Sequence, residues 1–162
     1  MNLRNLNPPQ SQLRNLLTFY EKKNFDAAEK LAISITNQYP NHPFSWKILS
    51  GIYEQNNRIP EALGIHQKLS VLFPKDPEVY FGIGNTSKAL GRTEEAIKSY
   101  NKAINLNPKY LLAYNNLALT LKQIGRYEES IFNFKKVISL DPNFAQVHYN
   151  LGLTLKEHGK LD

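Results

Sequence analysis

The chain of 162 residues has no cysteine, one methionine and one tryptophan. Without cysteine there are no disulfides, no thiolate metal ligands and no thiol nucleophile, which suits a reducing compartment. Long apolar runs are missing too. No stretch approaches the roughly 20 residues needed to span a bilayer, and the opening MNLRNLNPPQ lacks the apolar core of a secretory leader. A cytoplasmic location without membrane contact is therefore expected. The four histidines, His42, His66, His148 and His158, fall in no metal-binding spacing such as HExxH. GxSxG, the phosphate-loop signature and an inserted carboxylate pair are absent as well. The expectation is no catalytic residue, no metal and no cofactor.

A charge excess of one sign is also nearly lacking. The formal net charge is +6, from 20 Lys and Arg against 14 Asp and Glu. Up to residue 80 the balance is 9 basic against 7 acidic residues, and beyond it 11 against 7. The excess is mild and evenly spread, unlike the clustered basic face of a nucleic-acid module.

What the chain has is a period. Prolines stand at 40, 74, 108 and 142, and glycines at 91, 125 and 159, all at steps of 34. Small residues Ala28, Ala62, Ala96 and Ser130 keep the same interval, as do Leu49, Ile83, Leu117 and Leu151. Columns of different chemistry sharing one period mark a repeat array. With Pro43, Pro77, Leu111 and Ala145 as first residues, the units are 9–42, 43–76, 77–110, 111–144 and a shortened 145–162, after a lead-in 1–8.

Each full unit carries two helical patterns. Tyr114, Leu117, Ala118 and Leu121 form one apolar stripe, and Tyr127, Ile131, Phe134 and Val137 a second beyond Gly125. The glycine can close the first helix in the left-handed conformation, and the proline stops the second. Asp76-Pro77 offers a capping side chain and a first-turn proline. Asp26, Glu61, Glu94, Glu95, Glu128 and Glu129 open second helices, where the helix dipole favours negative charge.

Trp46, Leu49, Tyr53, Ala62 and Pro74, then Gly84, Ala96, Tyr100, Ala103 and Pro108, resemble the tetratricopeptide repeat signature. The resemblance runs from about residue 9 to Asp162 and implies an all-α solenoid of helix-turn-helix hairpins wound as a right-handed superhelix. The first unit fits least, with Gln12 at the aromatic place and Lys23 at the glycine place. Within this frame YFGIGNTSKALG, residues 80–91, is not a phosphate loop. Gly84 shares its place with Ala118 and Gly152, where paired helices approach closely, and GIGNTSK matches no nucleotide signature.

Such an array leaves a concave groove lined by the first helices. With the apolar stripe turned inward, the groove stripes are Glu78, Phe81, Gly82, Asn85, Lys88 and Ala89; then Leu112, Asn115, Asn116, Leu119, Lys122 and Gln123; then Gln146, Tyr149, Asn150, Leu153, Lys156 and Glu157. Lys88, Lys122 and Lys156 make one line, and Asn116 and Asn150 another, with Asn85 displaced by one turn. Asparagine pairs with an extended backbone irrespective of side chain, and lysine attracts carboxylates. Phe81 and Tyr149 add apolar contact. Lysine is equally a soluble helix former on an exposed face.

The expected partner is a protein or peptide segment, and the expected role is an interaction scaffold without catalysis. In chaperone-binding tetratricopeptide domains a terminal carboxylate is held by lysines, asparagines and an arginine. Here Asn85 and Asn116 match the asparagines, while Phe81, Gln146 and Asn150 stand where the basic residues belong, which argues against such a clamp. AYNNLALTLKQIGRYEESI and VHYNLGLTLKEHGK resemble the repeat arm of O-linked N-acetylglucosamine transferases. Asn116 and Asn150 match its asparagine ladder, whereas Arg14, Ile48 and Gly82 do not. The alternative reading is therefore the substrate-recognition arm of a larger, glycosyltransferase-like enzyme. RNA, read by related helical arrays, fits less well because the lysine line is interleaved with Glu, Gln and Ala. The last unit stops at Leu161 and Asp162, where its second helix should begin. A fragment of a longer protein is expected, with Val147, Leu151 and Leu155 short of a partner and self-association through the unfinished hairpin.

Overall fold

The computed structural model describes residues 7–159, and among them it holds nine α-helices and no strand. They are α1 (Gln10–Glu21), α2 (Phe25–Gln38), α3 (Pro43–Gln55), α4 (Ile59–Leu72), α5 (Pro77–Ala89), α6 (Thr93–Leu106), α7 (Leu111–Gln123), α8 (Tyr127–Leu140) and α9 (Ala145–His158). α3, α5, α7 and α9 begin at the residues that head the repeats, and α1 begins one residue after Pro9. Most of the expected lead-in, and all of the chain end at Leu161 and Asp162, lie outside the described residues. The chain divides into two compact units, Met1–Pro74 and Lys75–Asp162.

In the first unit α1 pairs with α2 and α3 with α4, and α3 also packs on α2. Its turns show why the period survives poor matches. Lys23 and Asn57 stand where Gly91 and Gly125 stand later, and all four take the left-handed conformation, with φ of 56°, 57°, 72° and 76°. The turn geometry imposes φ on whatever residue occupies the place. Trp46 at the aromatic place donates its indole N–H to the carbonyl of Pro40 at 2.8 Å, and Lys68 stacks its ammonium 3.9 Å from the Trp46 ring centre. His66 is buried, with its Nε2 2.8 Å from Glu54 Oε1.

In the second unit α5–α6 and α7–α8 are hairpins, and α9 packs on α8. Two buried clusters fill it. One joins Ala96, Ile97 and Tyr100 to Leu117 and Leu121; the other joins Tyr114, Ala118, Phe134 and Val137 to Val147. At α5 the Asp76 carboxylate accepts the Glu78 N–H at 2.9 Å, the expected cap. Of the second helices, α2 is capped by Asn24, whereas α4 in the first unit and α6 and α8 in the second follow an arginine at the cap. Arg58, Arg92 and Arg126 reach Glu61, Glu95 and Glu129, one turn on, at 3.1, 3.7 and 2.6 Å.

Three expectations are corrected. Val147 does not lack a partner: it is fully buried against α7 and α8, and only Leu155, 48% exposed, stays open. Gly159 does not take the left-handed conformation, its φ being −71°. Gly82, placed on the exposed stripe, is buried, because without a side chain it presents only backbone there.

Candidate functional groove

The groove stripe of the second unit lies on α5, α7 and α9, and α7 touches both of the others. Position along each helix follows from the close packing behind it. A β-carbon on Gly84 would overlap the Tyr100 ring, so this glycine lets α6 approach α5. The approach brings the Tyr100 hydroxyl through to the groove side, where it donates to Asn85 Oδ1 at 2.9 Å. Burial pushes the Tyr100 phenol up to about 12, so it stays protonated as a donor at neutral pH.

Around that bond the expected asparagines meet one another. Asn116 Nδ2 donates to the same Asn85 oxygen at 2.9 Å, and Asn115 Nδ2 donates to Asn116 Oδ1 at 3.3 Å. Asn85, Asn115 and Asn116 thus form one chain across α5 and α7, anchored on a buried tyrosine. Asn150 on α9 is separate, accepting a hydrogen bond from Gln146 Nε2 at 3.4 Å. The chain leaves capacity unused. Asn115 Oδ1 is buried and meets no donor among the described residues. With its oxygen taken twice, Asn85 retains its donor end.

The lysines of the line differ although their spacing is uniform. Lys122 is mostly covered and lies 3.0 Å from Glu157 on α9. The residue that stands to Lys88 as Glu157 stands to Lys122 is Gln123, which is uncharged. Lys88 is half-buried, and burial lowers its pKa from the usual lysine range. Lys156 is exposed near the end of α9. Phe81 is only partly exposed: its ring lies 5.1 Å from that of Tyr110 and 6.0 Å from that of Tyr100, so it lines the core as much as the groove. Tyr149, 63% exposed, and Leu112, 49% exposed, present apolar surface.

Two features escaped the sequence reading. Thr86, Thr120 and Thr154 form a buried column at the same period, and each hydroxyl donates to the carbonyl four residues back, on Gly82, Asn116 and Asn150, at 2.7–2.8 Å. The column is visible in the sequence, but threonine in a helix carries no signal until its bond is seen. The second feature is a repeated cavity. One of about 690 Å³ is lined by Tyr80, Glu95, Ser99 and Lys102 among others. Another of about 470 Å³ is lined by Tyr114, Glu129, Asn133 and Lys136, each 34 residues on.

Two of the remaining histidines have structural partners, whereas the buried Nδ1 of His42 meets none among the described residues. His148 is exposed, and its Nε2 donates to the Pro142 carbonyl at 2.8 Å, the bond that Trp46 makes to Pro40. His158 Nε2 lies 2.7 Å from Glu128, which holds that carboxyl below its usual range. Among the described residues no group of three or more His, Asp or Glu converges as for a metal, and no helix is long and apolar enough to cross a membrane.

The comparisons with known proteins agree with this architecture. A family model described as "TPR repeat" matches residues 84–125 and 120–159, the segment that carries the asparagine chain. Among solved structures the chain is similar to MamA protein, with a TM-score of 0.81 and 24% identity over 93% of this chain and 85% of that one. It is also similar to YrrB, described as a TPR protein with an unusual peptide-binding site, with a TM-score of 0.76 and 17% identity over 93% and 79% of the two chains. A tetratricopeptide repeat protein from Parabacteroides merdae gives a TM-score of 0.82 and 19% identity over 93% and 60%. No curated protein sequence matches. Repeats of this kind are in general non-catalytic scaffolds for protein interaction. With the 34-residue period and the paired helices closed by left-handed turns, these matches identify residues 84–159 as tetratricopeptide repeats and give the chain the fold of such arrays.

Proposed function

We propose that the chain is an interaction scaffold that holds an extended protein segment across α5, α7 and α9, without chemistry of its own. The observation that carries this reading is the chain of Asn115, Asn116 and Asn85, fixed by Tyr100 and left with spare amide donors on the groove stripe. Pre-oriented amides of this kind suit a peptide backbone, which offers one donor and one acceptor per residue. Asn150, Tyr149 and Lys156 extend the same surface along α9, and Lys88, Lys122 and Phe81 border it on α5 and α7. YrrB, of the same fold, is described as peptide-binding.

The test is retention of pooled, terminally blocked peptides on immobilised protein. The wild type should retain peptides, and the variant Asn116→Ala, Lys122→Ala, Asn150→Ala should lose about tenfold, the scale of one or two net hydrogen bonds. Equal retention by the two proteins refutes the groove. In the second reading, in which these repeats select substrates for a larger enzyme, the same groove would bind and the difference would lie in what is joined to it.

A further inference from the structure

The lysine line is uniform in sequence and uneven in charge balance. Lys122 has a carboxylate at 3.0 Å. Lys88, one turn beyond Asn85 on the same face of α5, has no acidic side chain within ion-pair distance among the described residues. Its repeat-equivalent partner is Gln123 instead of a glutamate. Next to it, Asn85 has its oxygen occupied by Tyr100 and Asn116, so the part of that amide left over is purely a donor. A half-buried ammonium and a donor-only amide, three residues apart on one helix face, ask for an anionic acceptor with two oxygens.

We propose that the groove takes an extended segment bearing an aspartate or glutamate, whose side-chain carboxylate seats on Lys88 and the Asn85 amide. This rests on the groove reading above and adds the chemistry of the partner. Physical grounds favour it: a partly desolvated charge without a counter-ion is unfavourable, and a carboxylate relieves it with charge-assisted hydrogen bonds. The lowered pKa of Lys88 is the mark of that desolvation. Lys122 does not offer the same site, because Glu157 already meets it. A side chain, rather than a chain terminus, is the source because Tyr149 and Leu112 offer contact surface beyond Lys88 on the following helices, so that a segment continues past it.

The probe is a set of peptide pools, N-acetylated and C-amidated, uncharged at every position except the centre, which is glutamate in one pool and glutamine in its twin. The full chain is immobilised and retention is compared. The glutamate pool should be retained about tenfold better than the glutamine pool, the scale of one charge-assisted contact. Lys88→Met should erase the preference at unchanged helical circular dichroism. Lys88→Arg, which keeps the charge, and Lys135→Met, which removes an exposed lysine of α8 outside the groove stripe, should keep it. Equal retention of both pools by the wild type leaves the groove reading in place and overturns the carboxylate seat. Retention of neither overturns both. A third pool without glutamate but with a free C-terminus, retained as well as the glutamate pool in a Lys88-dependent way, would make a terminal carboxylate the ligand and overturn the side-chain assignment.

Discussion

Gly84 on α5 and Gly152 on α9 occupy one place two repeats apart, yet they face opposite surroundings. A β-carbon at Gly84 would overlap the fully buried ring of Tyr100, which has nowhere to swing, whereas a β-carbon at Gly152 meets nothing within 4 Å. The same substitution should therefore have opposite signs. Gly84→Ala should destabilise by up to about 2 kcal/mol, because overpacking of about 1–3 kcal/mol outweighs the gain of about 1 kcal/mol in helix propensity. Gly152→Ala keeps only the gain and should stabilise by up to about 1 kcal/mol. Urea denaturation of both variants decides it. Tyr100 itself gives a pH signature. Its phenol is raised in the folded state from 10.0 to about 12, so between these values the unfolded chain binds fewer protons than the folded one. That contribution is fully present below pH about 10 and is lost as pH rises to about 12. Tyr100→Phe should flatten the alkaline loss of stability relative to wild type, and urea midpoints at several alkaline pH values measure it.

At the scale of the element, each hairpin depends on one left-handed residue between its helices. Glycine fills that place at 91 and 125, but lysine and asparagine fill it at 23 and 57 with the same φ. The left-handed conformation disfavours lysine by roughly 1–2 kcal/mol, while asparagine tolerates it through local hydrogen bonding. Lys23→Gly should thus stabilise the α1–α2 hairpin by about 0.5–1 kcal/mol after the entropy loss of glycine is counted. Asn57→Gly should gain less. Amide hydrogen exchange in α1 and α2 for Lys23→Gly, and in α3 and α4 for Asn57→Gly, would report the difference, and an equal slowing in the two hairpins would contradict it. The ordering follows from side-chain chemistry at a fixed backbone angle, which the repeat frame alone does not rank.

At the scale of the whole molecule, Lys75–Asp162 contains two buried clusters of its own, the complete asparagine chain and the segment matched by the family model. Expressed alone, it should keep its helical circular dichroism and melt cooperatively; a featureless, non-cooperative melt would show that its core needs Met1–Pro74. The sequence by itself determined the helix count, the helix starts at 43, 77, 111 and 145, the inward stripes and the family, because helical period and turn chemistry are local and recur every 34 residues. It also brought Asn116 with Asn150, and the lysines, to notice as columns, with Asn85 displaced by one turn. Tertiary structure alone decided what those columns do. The bond that ties Asn116 to Asn85 spans 31 residues, and Lys122 reaches Glu157 across to α9, while Lys88, with Gln123 at the equivalent sequence position, makes no such ion pair among the described residues. A periodic sequence makes equivalent residues look alike, and only packing between neighbouring helices distinguishes a balanced charge from an unbalanced one.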